Sequence, residues 1–281
     1  APAKPEVVVE EKTAVDPEQI VKAIKAISGG PRVMKMYMDM CAKCGTCASQ
    51  CHIYQSSPEK KFNPAERSDL IRSIYKKHCT TSGKILGGLV GAKDYREGEI
   101  EEWAESFYRC TPCRRCAVFC PSGIDNSVLT RKGRAILEAA GLTPERLKTV
   151  INISLETGNT DGASPKAFKA AIEFLEEEME EEHGIPIKIP VDKEGADYFY
   201  VPASGDVLVN FEATTGVAKV FYLLGLQDKW TMSSKLFDGA NYGLFTGSDE
   251  EMKADNQPYI EEAKRLGVKY YFAGECGHAY R

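Results

Sequence analysis

The chain has 281 residues, of which 43% are apolar, and a formal net charge of −5. Acidic and basic residues are interleaved, which excludes the basic footprint needed to wrap nucleic acid. The nearest approach to the roughly 18 to 20 apolar residues that span a bilayer is the glycine-rich ILGGLVGA from Ile85 to Ala92, and ten cysteines are too few for a small disulfide scaffold. The opening APAKPEVVVEEK lacks the regions of a secretory signal, so a reducing cytoplasm is the expected compartment.

Residues 1–15 read as an extended arm rich in Pro, Lys and Glu. Helix starts are then marked by a capping side chain before a proline: Asp16-Pro17, Asn63-Pro64, Thr143-Pro144 and Ser164-Pro165. Apolar residues at helical spacing follow each one, such as Ile20, Ile24 and Ile27, or Phe168, Ile172 and Leu175. The acidic run EEEMEEEHG, Glu176 to Gly184, reads as a solvated helix face, with docking as the sharper alternative. Beyond the linker IPIKIPVDKEG, DYFYVP, KWTMS and VKYYFAG read as strands alternating with two helices, which predicts a small parallel α/β sheet. The expected class is α+β. We expect an N-terminal arm and helix over 1–30, a helical ferredoxin domain over 31–140, a helical linker over 141–190 and an α/β domain over 191–281.

Eight cysteines fall in two windows, Cys41, Cys44, Cys47, Cys51 and Cys110, Cys113, Cys116, Cys120. Both are C-x2-C-x2-C-x3-C, the bacterial ferredoxin run, in which three close thiolates hold one cube and the fourth reaches the other. By that rule Cys41, Cys44, Cys47 and Cys120 bind one 4Fe-4S cluster, and Cys110, Cys113, Cys116 and Cys51 bind a second. Zinc knuckles normally give two ligands per loop, and disulfides would strain such short loops. Pro121 follows the second window, but His52 stands where the first would have its proline, a donor within reach of a sulfur. Lys43, Arg109, Arg114 and Arg115 either raise the potential of a cluster or face a partner's acidic surface. Cys79, beside His78, reads as structural, and the glycines of GKILGGLVG lack the preceding strand of a phosphate or dinucleotide loop.

The combination of CRRCAVFCPSGID, NPAERSDLIRSIYKKH, FDGANYGLF and GECGHAYR resembles the heterodisulfide-reductase-like iron-sulfur subunits, nearest to the DsrK type of membrane-bound sulfur-metabolism complexes and next to the Tmc-complex subunit. The resemblance implies a cytoplasmic subunit, peripheral on the inner membrane, that joins other redox subunits and docks on a membrane cytochrome b-type subunit coupled to quinone. It further implies a disulfide or trisulfide substrate on a small sulfur-carrier protein, and cysteine-rich CCG modules holding a further, non-cubane iron-sulfur site. The chain departs from that pattern. No Cys-Cys-Gly occurs; Gly239-Ala240-Asn241-Tyr242-Gly243 stands in its place, leaving Cys276 from the closing pair. The α/β domain is thus degenerate, its catalytic site is incomplete, and the natural protein is expected to continue past Arg281 or to be completed by another chain. Cys276 and His278 are the candidate catalytic residues, following a strand at the carboxyl edge of the sheet, against the alternative of an ordinary, partly buried cysteine with a satisfied histidine. Two other functions compete: the iron-sulfur subunit of a flavin dehydrogenase of the glycolate, lactate or glycerol-phosphate type, and a structural protein whose cysteines bind zinc.

Overall fold

A computed structural model of the chain describes residues 16–96 and 98–274. They divide into two units: the residues up to Pro144 with Phe245–Ser248, and Glu145–Leu244 with the residues from Asp249 onward.

The first unit is built from helices α1 (Pro17–Gly29), α2 (Arg32–Asp39), α3 (Thr46–Gln50), α4 (His52–Ser56), α5 (Pro64–Cys79), α6 (Thr81–Leu86), α7 (Ile100–Tyr108), α8 (Arg115–Val118) and α9 (Asn126–Ala139). The proline-marked starts work through the capping side chain: Asp16 accepts from the Glu18 N–H at 2.9 Å and Asn63 from the Ala65 N–H at 3.0 Å. Such a cap is worth about 1 kcal/mol, and proline at the first position loses no helical bond. Ile20 and Ile24 of α1, Ile71 and Ile74 of α5, Trp103 and Phe107 of α7, and Leu129 and Leu137 of α9 meet in one core. Trp103 presents edges to Tyr95 and Phe107, each with ring centroids 5.9 Å apart. Gly133 lets α9 approach α7, because a Cβ there would lie 2.4 Å from the Phe107 ring. Among the described residues no helix is long and apolar enough to cross a membrane.

The second unit contains α10 (Glu145–Thr157), α11 (Pro165–His183), β1 (Tyr198–Val201), α12 (Gly205–Leu208), α13 (Glu212–Leu223), β2 (Trp230–Thr231), α14 (Gly243–Thr246, whose last two residues count with the first unit), α15 (Asp249–Leu266) and β3 (Tyr270–Ala273). The strands form a parallel sheet in the order β2-β1-β3, with Tyr198 opposite both Trp230 and Tyr270. The alternation read from the sequence is therefore present as a small mixed α and β layer. Helices α10 and α11 group with the sheet, and α11 packs Phe168, Ile172, Leu175 and Met179 against Tyr200, Trp230 and Phe237. The segment read as a linker contributes too: Ile187 and Ile189 are buried in this core, and Val191 bridges to Met232. Thr143, expected to cap α10, donates its hydroxyl to the Glu138 carboxylate.

The acidic run lies on α11, where Leu175 and Met179 take the buried face. Glu176 accepts from Lys188 Nζ at 2.8 Å and from the Ile189 N–H at 2.7 Å, while Glu182 pairs with Lys219. The run is a helix surface partly tied to its own unit.

Candidate functional site

The two cysteine windows follow one backbone plan. Gly45, one residue past the second cysteine of its window, is left-handed with φ 84° and opens α3; Arg114, in the same place of the other window, has φ 61° and opens α8. A left-handed residue there turns the chain sharply between the second and third cysteines, so that Cys47 and Cys116 rise on short helices. Helices α3 and α8 lie against each other. Glycine adopts this conformation freely, whereas arginine pays about 1 kcal/mol or more for it. In compensation, Arg114 Nε donates to Asp125 Oδ2 at 2.8 Å, and the buried Asp125 also accepts from the N–H and hydroxyl of Ser127 at the start of α9.

Cys41, Cys44, Cys47 and Cys120 line a single cavity together with Gly45, Pro121 and Ile124. Three of these thiols come from the first window and one from the second. Burial raises the Cys47 thiol above its ordinary value, and its neighbours Cys41, Cys120 and Cys44 push it the same way. The exposed Cys44 is lowered by the Thr46 hydroxyl, 3.4 Å away. In the second window burial pushes Cys116 up to about 12, with Cys110, Asp125, Cys113 and Cys47 adding to it. Cys51 stands in extended backbone between α3 and α4, and the next residue, His52, places Nδ1 3.9 Å from Cys113 Sγ and Nε2 3.3 Å from the Thr111 hydroxyl. The end of the first window thus reaches the second, as the end of the second reaches the first.

The nine described cysteines are all free thiols. Thiolates gathered this closely repel one another, and a cationic centre between them offsets the repulsion. A donor set made of thiolates alone suits an iron-sulfur cluster, and four such donors ringing one cavity fit it. Among the described residues, no three His, Cys, Asp or Glu side chains converge closely enough to hold a single metal ion. Cys79 packs beside the helical core and accepts from Ser28 Oγ at 3.6 Å, away from both windows.

Of the cations singled out by sequence, Lys43 is ion-paired with Asp69, which raises its pKa. Arg109 stacks over the Phe62 ring at 5.6 Å, and Arg115 is exposed. The residues that grip the second window are others, which sequence reasoning did not identify. Arg134 on α9 is 2% exposed and donates to the Phe107 carbonyl at 3.1 and 3.0 Å and to the Cys110 carbonyl at 2.5 Å. Arg67 on α5, also 2% exposed, donates to the carbonyls of Ser106 at 2.8 Å and Phe62 at 3.0 Å. At the negative pole of α7 the Phe107 carbonyl also accepts from the Cys110 N–H at 3.4 Å; the two guanidiniums fill the remaining acceptor capacity there and fix the point from which Cys110 departs. The available signal was helical phase, since Arg67 lies one turn before Ile71 and Arg134 about one turn before Leu137, on the buried stripes of their helices.

In the second unit, the FDGANYGLF motif runs past the carboxyl edge of the sheet. The Gly239 N–H donates to the Pro202 carbonyl and the Gly274 N–H to the Val201 carbonyl, which brings the segments after β2 and β3 to the end of β1. Asp238 is buried and its Oδ2 accepts from the Thr160 N–H at 3.0 Å, the Thr160 hydroxyl at 2.5 Å and the Tyr242 hydroxyl at 3.1 Å. Thr160 in turn meets the Ser204 hydroxyl at 3.0 Å. Asp255 accepts from the Tyr242 N–H at 3.0 Å; burial pushes its carboxyl up to about 6, against the pull of that bond. Gly243 is required by packing, for a Cβ would lie 2.3 Å from the Met252 backbone. The motif therefore builds a hydrogen-bonded turn around Asp238. Cys276 and His278 lie outside the described residues, beyond Gly274.

Residues 37–124, which contain both windows, match the 4Fe-4S dicluster domain family. The chain is 33% identical over 268 residues to the Hdr-like menaquinol oxidoreductase iron-sulfur subunit 2 of Archaeoglobus fulgidus, covering 94% of this chain and 48% of that protein. It is 34% identical over 271 residues to the Hdr-like menaquinol oxidoreductase iron-sulfur subunit of Archaeoglobus profundus, with the same coverage of 94% and 48%. Against one component of the dihydromethanophenazine:CoB-CoM heterodisulfide reductase of Methanosarcina acetivorans it is 30% identical over 112 residues, 40% of this chain and 27% of that one. No solved structure matches the chain at a significant level. The chain spans about half the length of the two Archaeoglobus proteins. The chain thus carries a 4Fe-4S dicluster domain and, over 94% of its length, is similar to heterodisulfide-reductase-like iron-sulfur subunits.

Proposed function

We propose that the chain is the electron-transfer part of a membrane-associated redox complex, passing electrons through two 4Fe-4S clusters between a cytochrome b and quinone partner and a site that reduces a disulfide or trisulfide. The observation that carries the reading is the cavity ringed by Cys41, Cys44, Cys47 and Cys120, with a thiol of the second window completing the set of the first. On this reading Cys51 completes the set of Cys110, Cys113 and Cys116, a choice supported by its neighbour His52 lying against Cys113. Each 4Fe-4S cluster supplies one-electron chemistry at a potential set by charge, hydrogen bonds and burial. The chain's own residues hold the thiolates, cover them with α3 and α8, and set the Thr46 hydroxyl and the His52 ring within reach of sulfur.

The menaquinol and heterodisulfide named for the relatives support a quinone partner on one side and sulfur chemistry on the other. The sulfur side requires more than the described residues. Asp238, Tyr242, Thr160 and Ser204 form a polar floor in the unit that Cys276 and His278 follow in sequence, and we assign those two residues to the site where electrons are delivered. A small sulfur-carrier protein is the partner this reading requires there, and a further non-cubane iron-sulfur site would include Cys276. The domain limits inferred from sequence follow the same division of labour, cluster binding over 31–140 and the receiving site over 191–281.

The experiment is a set of single cysteine replacements in anaerobically purified protein, read by iron and sulfide content and electron paramagnetic resonance. Cys47→Ser and Cys120→Ser should give the same residual spectrum, with iron reduced by about half from the roughly eight atoms of two cubes. Cys116→Ser and Cys51→Ser should share the other spectrum. If Cys120→Ser matches Cys116→Ser, ligation is not crossed; if the unaltered protein carries zinc in place of iron, the electron-transfer reading fails.

A further inference from the structure

Within the second unit, the last turn of α10, the middle of α15 and the loop at Lys235 and Leu236 line a cleft of about 330 Å³. Gly158, at φ 78°, lets the chain leaving α10 pass close to Lys235, whose carbonyl oxygen a Cβ there would meet at 2.3 Å. Two polar groups on the wall are engaged elsewhere. The Tyr259 hydroxyl donates to the Asp238 carbonyl at 2.5 Å, and Glu262 accepts from the Ser233 hydroxyl at 2.7 Å and from Arg265 Nε at 2.8 Å.

Two others are not. The hydroxyl of Ser154, a residue 4% exposed, has no hydrogen-bond partner. Asp255 takes the Tyr242 N–H on Oδ2 at 3.0 Å, and no donor among the described residues reaches its Oδ1. The two side chains are neighbours, since Ser154 favours the Asp255 anion without completing a hydrogen bond to it. Buried polar groups are costly to leave unpaired. A hydroxyl and a carboxylate oxygen on the wall of one cleft therefore mark a place for a ligand that serves both.

The charge around that place is negative. Burial pushes the Asp255 carboxyl up to about 6, and a cation beside it offsets that cost. The carboxyl end of α10, whose last turn holds no basic residue, adds its negative pole, and the exposed Glu156 lines the same wall. Among the described residues no three His, Cys, Asp or Glu side chains converge to hold a metal ion, so the cation must bring its own N–H donors.

We propose that this cleft binds a small primary amine, its ammonium held between Asp255 Oδ1 and the Ser154 hydroxyl and its aliphatic stem lying along Leu236 and Pro258. An ammonium carries three donors on a compact charge and so satisfies carboxylate and hydroxyl together. A carboxylate ligand would meet Asp255 with like charge, and a quaternary ammonium would bring charge without a donor. The inference goes beyond the electron-transfer reading, since it gives the second unit a small-molecule site built wholly from its own residues.

The test is titration calorimetry of the cluster-loaded protein at about pH 7.5, where an aspartate of this kind is ionised, with n-butylamine, butyrate and tetramethylammonium as probes. n-Butylamine should bind at one site with a Kd of about 1 mM or tighter, and the other two should not bind. Asp255→Asn keeps an acceptor for the Tyr242 N–H but loses the charge, and should weaken butylamine binding by about tenfold or more; Ser154→Ala should weaken it by about fivefold. Lys235→Gln removes the exposed cation of the wall and should leave the affinity equal or higher. Helical circular dichroism should match across the variants; should Asp255→Asn lose it, Ser154→Ala decides. The proposal is overturned by no saturable binding of butylamine, by butyrate or tetramethylammonium binding as well, or by undiminished binding in a folded Asp255→Asn or Ser154→Ala protein. Lost binding in Lys235→Gln overturns it too, because the lysine and not the acidic end would then hold the ligand.

Discussion

The two units differ in the charge they bury most, with Asp125 at 3% exposure the one buried carboxylate among the described residues of the first. In the first, Arg67, Arg72 and Arg134 are each 2% exposed; in the second, Asp238, Asp255 and Glu262 are 1%, 6% and 7% exposed. Each set is satisfied by the complementary backbone and side-chain groups, carbonyl oxygens for Arg67 and Arg134, hydroxyls and N–H groups for Asp238 and Asp255. Arg72 and Glu262 have countercharges, Asp69 at 2.5 Å and Arg265 at 2.7 Å. Arg67 and Arg134, held by carbonyl oxygens, place positive charge beside a region of clustered thiols, where it favours the anionic form of a thiolate centre. The same apolar packing thus supports two electrostatic interiors.

The comparison breaks first at Arg134. Arg134→Gln leaves the Phe107 and Cys110 carbonyls short of donors inside the core, which should cost about 3 kcal/mol or more, seen as a lower denaturant midpoint. The midpoint potential of one cluster should fall as well, and Arg134→Lys should restore part of that potential; equal potentials in the two variants would show that the guanidinium acts only through shape.

In the second unit, the Asp255 carboxyl is raised from the ordinary aspartate range to about 6. A raised carboxyl adds stability that is full below the unfolded value and is lost as pH climbs through the folded one. Stability should therefore decline between about pH 4 and 6, by about 3 kcal/mol for a shift of this size. Asp255→Asn keeps an acceptor for the Tyr242 N–H and should remove that slope; an unchanged pH profile of thermal unfolding would mean that the carboxyl is ionised without cost.

A similar or smaller effect tests packing. Gly133→Ala pushes a methyl into the Phe107 ring, and overpacking of this kind costs about 1 to 3 kcal/mol. The melting temperature should drop with no change in the pH profile. The smallest expected effect is at His52: replacement by Phe removes the contact with Cys113 Sγ and should shift one cluster potential slightly at constant iron content.

Much of this organisation was legible in the sequence. Asp16-Pro17 and Asn63-Pro64 start helices because capping chemistry is local, and DYFYVP, KWTMS and VKYYFAG supply the three parallel strands because alternation with helices dictates their pairing. The spacing within each window marked the thiols as one chemical unit. What stayed hidden depends on neighbours distant in sequence. Arg134 reads as a surface residue until Phe107 and Cys110 are known to lie beside it, and Asp255 looks ordinary until Tyr242 and Asp238 enclose it. Arg114 was expected to tune a potential or to meet a partner. Its left-handed backbone and its bond to Asp125 give it a structural duty that a linear reading does not reveal.

The strand order has a consequence for synthesis. Because β1 lies between β2 and β3, its second neighbour is supplied by the last described segment of the chain. On the ribosome, both cysteine windows and helices α1 to α9 have emerged well before β3, so the thiols can gather while β1 still has an open edge. Iron loading and closure of the sheet are separable events, and a nascent chain stalled before Tyr270 should already be able to take up metal.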